Sequence, residues 1–308
     1  MKSTALLFAG QGAQHVGMGK DLVEAYPEAK ALFAQADAVL GPEFSEVCFS
    51  GPESTLTETR FCQPALYVHG LALLAIVKKE RPDFRFAAAA GLSLGEFTAH
   101  AAAGTFSFED GLKLVAARGA FMQEACEATA GGMVTLLGAT EEQARQVADQ
   151  SGLEVANINC PGQIVLSGAE AQIPAAVAAG QALGLRRVIP LKVAGAYHSR
   201  LMASAQTKLE PLLAAAPMQL PRVPVFGNVE AAPAEDLDGL RSSLVRQVTG
   251  TVRWQASIEA MRAFGIERFI ELGPGKVLAG LLKRIDQEVA CLSIGNLHDL
   301  KALIHELD

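Results

Sequence analysis

Ala87-Ala88-Ala89-Ala90-Gly91-Leu92-Ser93-Leu94-Gly95-Glu96 decides how this chain folds. Small apolar residues suit a buried strand, and the Gly-x-Ser-x-Gly that follows suits a sharp turn into a helix. Such a turn leaves no room for side chains beside its serine, which accounts for glycine at 91 and 95. It would hold the Ser93 hydroxyl above the sheet at a helix N-terminus, where a nucleophile is wanted. A plainer reading of the same five positions is a tight turn in which Ser93 only caps the helix through its side-chain oxygen.

Working outward, Leu6–Ala9 reads as a short buried strand, Gly10-Gln11-Gly12 as a loop, Met18–Ala25 as a helix and Pro64–Val77 as a strongly apolar helix. Beyond the elbow, Gly104 stops one helix and Ser107 begins the next, with Asp110 three residues on as a capping-box-like pair. Val223–Val229, Arg268–Leu272 and Cys291–Ile294 are further expected strands, with an apolar helix after Gly273-Pro274-Gly275. This alternation predicts an α/β fold built on one doubly wound sheet. Between about residues 128 and 197 the order becomes strand, helix, strand, strand, helix, strand. Met133–Leu137, Glu154–Asn159, Gln163–Ser167 and Arg186–Leu191 are its strands, and Glu141–Gln150 and Ile173–Leu183 its helices. That β-α-β-β-α-β order is the signature of a ferredoxin-like unit. A small domain at 128–197 is therefore expected inside a large one made of 1–127 and 198–308, with a substrate cleft between them.

The 308 residues are enough for a large domain with an insertion. Half are apolar and 19% are charged, which fits a well-buried enzyme and excludes a disordered chain. A formal charge of −7 argues against nucleic acid as the main partner. Five cysteines without a CxxC spacing point to reduced thiols in a reducing compartment and to no zinc site. The apolar run Ala5–Ala9 is too short for a signal-peptide core, and no uncharged apolar run approaches the roughly 18 residues needed to span a bilayer. A cytoplasmic protein away from the membrane is expected, and without a coiled-coil repeat a monomer.

On the helix beginning after Ser107, steps of about 100° put Leu114, Val115, Phe121 and Met122 on one face and Glu109, Lys113 and Glu124 on the other. Arg118 falls in the middle of the apolar face. An unpaired buried guanidinium is too costly to persist, so Arg118 needs either a permanent carboxylate or an anionic ligand. A serine nucleophile nearby favours a carboxylate-bearing substrate, which arginine can grip bidentately. Six histidines compete to be its base. His15 stands near the first loop, His69 lies within the apolar helix, and His100 is about 10 Å along the elbow helix from Ser93. His298 and His305 occupy a charged C-terminal segment. His198 lies in Gly195-Ala196-Tyr197-His198-Ser199, where the chain returns from the small domain, and a loop at such a seam can present a base into a cleft. A satisfied structural histidine is the other reading of the same position.

Seven segments together resemble the ordered signatures of malonyl-CoA:acyl carrier protein transacylases. They are Phe8-Ala9-Gly10-Gln11-Gly12-Ala13-Gln14, Gly91 to Phe97, Arg118-Gly119, Pro161 to Val165, Gly195 to Ser199, Leu244 to Gln247 and Glu271 to Gly275. The resemblance implies an α/β-hydrolase-like large domain with a ferredoxin-like insertion. It implies Ser93 as nucleophile, His198 as general base and acid, and Arg118 as the clamp on the malonyl carboxylate. It further implies backbone N–H groups of Gln11 and Leu94 as the oxyanion hole, and Gln247 as the residue that orients His198, often through its carbonyl. Tyr197, where malonyl-selective members often carry phenylalanine, would border the acyl pocket. Malonyl-CoA and phosphopantetheinylated acyl carrier protein would be substrates, with no cofactor. A stand-alone enzyme of fatty acid synthesis is the first expectation. An acyltransferase serving a polyketide assembly line is the close variant, and a serine esterase the more distant one. Two positions depart from the family pattern: Leu92 stands where histidine is usual and Arg200 where proline is common. An acidic carrier protein calls for a basic rim, with Arg186, Arg187, Lys192, Arg200, Lys283 and Arg284 as candidates.

Overall fold

β1 (Thr4–Phe8) is buried at every residue and lies at the centre of a five-stranded parallel sheet. It pairs on one side with β2 (Ala88–Gly91) and on the other with β8 (Arg268–Leu272). β7 (Val225–Phe226) and β9 (Ala290–Ile294) form the edges, giving the order β7-β2-β1-β8-β9. The register sets Phe8 beside both Gly91 and Leu272, so the loops after these three strands emerge from one edge. The chain leaves β1 toward β2 and later returns on its other side as β8. Open parallel sheets bind ligands at such a reversal of strand order. The computed structural model describes residues 2–306, and the side chains of 305 and 306 lie outside the description. The expectation for His305 therefore lies outside the described residues.

The second sheet comprises β3 (Gly131–Leu137), β4 (Glu154–Cys160), β5 (Gln163–Ala169) and β6 (Arg187–Pro190). Its order is β4-β5-β3-β6 and every pair is antiparallel. Alternation along the strands divides its two faces. Val134, Leu136, Ile164 and Leu166 pack with helices Glu141–Ser151 and Ile173–Ala182 into one apolar cluster. Met133 and Val165, on the opposite face, look toward the large sheet and line a cavity. A parallel bridge of Asn157 with Val252 ties the two sheets' surroundings together, through Ile158 N–H to Val252 O at 2.9 Å and Val252 N–H to Ala156 O at 2.8 Å.

Several expected elements change extent. The apolar helix begins at Thr59 and runs to Glu80, with Pro64 inside it; burial of most of its residues outweighs the one hydrogen bond that Pro64 forgoes. By length and composition this helix could cross a membrane, but 83% of its most apolar window is buried in the fold, where it packs along helix Phe108–Ala128. The strand expected over Val223–Val229 shrinks to Val225–Phe226, because Pro224 has no N–H to pair and Gly227-Asn228 turns into the site. Helices Pro27–Leu40 and Glu43–Ser50 carried no strong periodic signal in the sequence and stand between β1 and the apolar helix. Ser107 caps helix Phe108–Ala128 as expected, its hydroxyl accepting from Asp110 N–H at 3.0 Å.

Candidate active site

β2 ends at Gly91, and helix Leu94–Ala103 begins three residues later, with Ser93 between them at φ 54°, ψ −110°. A non-glycine residue in that region costs roughly 1–3 kcal/mol and must be held by its surroundings. Asn228 Oδ1 accepts from Ser93 N–H at 2.7 Å, and Gln247 Nε2 donates to Ser93 O at 2.8 Å. The flanking glycines are obligatory. A Cβ on Gly91 would lie 1.9 Å from Gly95 C, and one on Gly95 would lie 2.1 Å from Phe8 O.

His198 is also at positive φ, 57°, on the segment returning from β6. Its Nε2 lies 2.8 Å from Ser93 Oγ, while its Nδ1 faces the carbonyl oxygens of Gln247 at 2.9 Å and Gly250 at 3.2 Å. A carbonyl only accepts, so Nδ1 carries the proton and Nε2 is left to take one from Ser93. Burial first, and the Arg118 charge second, push the imidazole down to about 4, so it is neutral at physiological pH and free to act as a base. Among the described residues no carboxylate hydrogen-bonds His198 as a third member. Glu96, which lies in the sequence interval where a hydrolase would place one, bonds to Gln247 and Asn228 and not to His198.

Arg118 is 1% exposed. Its Nη1 donates to Gln63 Oε1 at 2.7 Å, and its Nη2 donates to Gln247 Oε1 at 2.9 Å and to Ser93 Oγ at 3.1 Å. The guanidinium also lies 5.5 Å over the Phe97 ring, and Nε has no hydrogen-bond partner among the described residues. All its hydrogen-bond partners are neutral, so the structural ion pair considered from the sequence is not what is found. Burial lowers its pKa to about 10, which still leaves it charged at neutral pH. A cation held this way is poised for an anion arriving at Ser93.

Ser93 and His198 open onto a cavity of about 690 Å³ between the two sheets. Gln11, Ser93, Leu94, Tyr197 and His198 line it. Arg118 and Gln247 are set behind that wall, and Gln247 touches Ser93, His198 and Arg118. The reason is packing: its amide is consumed by three buried partners. Among the described residues the backbone N–H groups of Gln11 and Leu94 have no protein partner. Tyr197 hydroxyl lies 2.7 Å from Thr59 Oγ1 and 3.4 Å from Gln11 Nε2, which fixes its ring at the cavity wall.

The remaining histidines lie elsewhere. His100 Nδ1 pairs with Thr105 Oγ1 at 3.0 Å, His69 is fully buried, and His15 and His298 are exposed. Of the basic candidates, Arg200 is ion-paired with Glu154, and Arg284 is spent on Gln163 and the Pro161 carbonyl. Lys192 borders the cavity mouth, and Arg186, Arg187 and Lys283 are exposed. Gln63, Asn228 and Glu96 are the site residues that sequence reasoning missed. None of the three carried a usable signal, since even Gln63 falls just before the apolar helix expected over Pro64–Val77.

A sharp elbow on a parallel sheet, a serine–histidine pair and a buried arginine define a serine acyl-transferring class. The chain belongs to the acyl transferase domain family, whose pattern matches residues 5–299. It is 39% identical to the malonyl CoA-acyl carrier protein transacylase of Bacillus subtilis (strain 168), over 100% of this chain and 98% of that one. The transacylase of the same name from Staphylococcus aureus (strain MRSA252) is 39% identical, over 98% of each chain. Among solved structures, the malonyl-CoA:acyl carrier protein transacylase of Xanthomonas oryzae pv. oryzae superposes with a TM-score of 0.94 at 36% identity, covering 99% of this chain and 98% of that one. A malonyl-transacylase in complex with its type II PKS acyl-carrier protein gives 0.94 at 33% identity, covering 99% of both chains.

Proposed function

We propose that this enzyme transfers the malonyl group from malonyl-CoA to the phosphopantetheine thiol of an acyl carrier protein through a malonyl-serine intermediate. The single observation that carries the reading is the convergence on Ser93 Oγ of the His198 Nε2 lone pair at 2.8 Å and the Arg118 Nη2 cation at 3.1 Å. Ser93 attacks the thioester carbonyl and gives its proton to His198 Nε2. The oxyanion forms against the two unpartnered N–H groups of Gln11 and Leu94, each donor worth roughly 2.7–4 kcal/mol in the transition state. Collapse expels the CoA sulfur, which takes the proton back from His198. In the second half the carrier thiol gives its proton to His198, attacks the malonyl ester, and Ser93 leaves with that proton.

Arg118 grips the malonyl carboxylate by exchanging its contact with Ser93 for the substrate. A carboxylate placed there also offsets the Arg118 charge that depresses His198, so substrate makes its own base stronger. Fixing the acyl chain at both ends, and closing an apolar cleft over it, favours the bound thiol over water. The histidine's dependence on carbonyls of Gln247 and Gly250 supports a transferase over an esterase with an acid partner. Tyr197 borders the acyl group, and Gln247 orients His198 through its carbonyl and Arg118 through its amide.

The same reading gives the fold its finer description. The parallel sheet with its elbow is an α/β-hydrolase-like domain of residues 1–127 and 198–308. Residues 128–197 form a ferredoxin-like insertion, supported by the antiparallel order β4-β5-β3-β6 and by both helices packing on one face. The enzyme works as a cytoplasmic monomer and needs no cofactor, since side chains and main chain supply every role. Its acyl product enters fatty acid synthesis, or in the variant reading a polyketide assembly line.

Labelled malonyl-CoA followed by acid quench tests the proposal. Label is expected on Ser93 and is expected to leave rapidly on adding acyl carrier protein but slowly in water alone. Label absent from Ser93, or lost to water as fast as to carrier protein, overturns it.

A further inference from the structure

The strained backbone of Ser93 is held by two side chains, Asn228 at its N–H and Gln247 at its carbonyl, and both lead to one atom. Glu96 Oε2 accepts from Gln247 Nε2 at 2.7 Å and from Asn228 N–H at 3.0 Å. Gln247 Nε2 is thus committed to two acceptors, Ser93 O and Glu96 Oε2. Its Oε1 is thereby turned to Arg118 Nη2 at 2.9 Å. A flipped amide would set oxygen against two acceptors and an NH₂ against the guanidinium. Glu96 itself is fully buried and does not line the cavity that Ser93 faces.

We propose that Glu96 is a positioning residue for acyl transfer: through Oε2 it locks the Gln247 amide and the Asn228 main chain, which hold Ser93 in its strained conformation and set the fork of Arg118. This rests on the function proposed above.

On this proposal Glu96 acts through an oxygen at a fixed place, an effect distinct from the field its charge exerts on Arg118. Oε1 has no hydrogen-bond partner among the described residues. Burial pushes the carboxyl up to about 7, against the lowering effect of its hydrogen bonds. A second cavity of about 350 Å³ lies behind it. A Cβ on Gly227 would meet Glu96 Oε1 at 3.2 Å, Ser243 Oγ at 3.2 Å and Glu230 Oε2 at 3.5 Å, so these oxygens surround one small space. An amide NH₂ in place of Oε1 therefore finds acceptors there while the other oxygen stays where it is. Glu96→Gln keeps the position and removes the charge. Glu96→Asp keeps the charge and withdraws the oxygen by about one C–C bond, 1.5 Å.

The full-length parent and both variants are to be assayed for kcat and KM with malonyl-CoA and carrier protein, for the rate of Ser93 labelling by a fluorophosphonate, and for unfolding temperature. Glu96→Gln is expected to stay within a few-fold of the parent in both rates. Glu96→Asp is expected to lose about 100-fold in kcat/KM, the order expected of a 1 Å misplacement, and to slow Ser93 labelling with little change in unfolding temperature. Gln247→Asn breaks the same link from its other end; its loss and that of Glu96→Asp are expected not to add. Parent-like Glu96→Asp, a Glu96→Gln as impaired as Glu96→Asp, or fully additive losses each overturn the proposal. If Glu96→Asp does not fold, parent-like Glu96→Gln together with an impaired Gln247→Asn supports it, and any other pairing overturns it. Failure of the parent to move malonyl would end the functional reading instead, while the order of labelling rates would still test the positioning role.

Discussion

Arg118 Nη2 rests 3.1 Å from Ser93 Oγ, so the cation we propose as the grip on the substrate's carboxylate already contacts the nucleophile. The same guanidinium has only neutral hydrogen-bond partners, and the buried Glu96 acts on it only through space; under the proposed function it is the group through which acyl identity is felt.

Arg118→Ala is expected to lower kcat/KM for malonyl-CoA by about 100-fold or more, as for the loss of two charge-assisted hydrogen bonds. Activity with acetyl-CoA, which brings no carboxylate, should rise relative to malonyl-CoA. A parallel assay of the two thioesters checks this, and an unchanged preference would refute the assignment.

Gly95→Ala cannot keep the elbow, because its Cβ would come 2.1 Å from the Phe8 carbonyl oxygen in the middle strand. Backbone must shift at the one turn that presents Ser93. Loss of fluorophosphonate labelling is expected even in whatever folded protein is recovered. Substituting Gly12, around which a Cβ meets nothing within 4 Å, should cost far less despite its φ of 102°.

His198, His69 and His100 are all lowered by burial, to about 4, 4 and 3. Each binds its proton more readily unfolded than folded, so the stability each contributes is complete above about pH 6.5 and is lost as pH falls toward the folded values. Glu96, raised to about 7, and Glu271, also raised by burial, work in the opposite sense and offset part of this. Unfolding temperature should therefore fall from pH 6.5 to pH 4. His69→Leu, which removes an imidazole with no partner among the described residues, should make that fall shallower by one proton. An unaltered slope in calorimetry at several pH values would contradict the burial argument.

Salt should slow malonyl transfer to carrier protein and leave transfer to a small thiol such as pantetheine nearly unchanged, because charge steering acts on the encounter with an acidic partner. Lys192, exposed at the cavity mouth, is the residue whose reversal to glutamate should raise the KM for carrier protein most. Arg200, tied to Glu154, should matter less. Equal salt sensitivity with both acceptors would remove the basic rim from the account.

Much of the site was legible because its residues violate local rules. Ser93 between two glycines and Arg118 in an apolar stripe are features that packing alone does not ask for, and period and composition expose them. His198 was legible only as a histidine at a seam. The fold alone brings its Nε2 to 2.8 Å from Ser93 Oγ. Glu96, Asn228 and Gln63 were missed because their work is done by contacts across 55 to 151 positions of chain, to which spacing gives no access.

By itself the sequence determined the alternating strands and helices, the elbow and the two rhythms of the chain, because these follow from side-chain size and periodicity within a few residues. Tertiary structure alone decided that a strained serine is pinned from both sides by Asn228 and Gln247, and that the hydrogen-bond partners of Arg118 are all neutral. Those outcomes depend on angles and distances of a few tenths of an ångström between distant segments. Such precision is set only once the sheets and helices have packed.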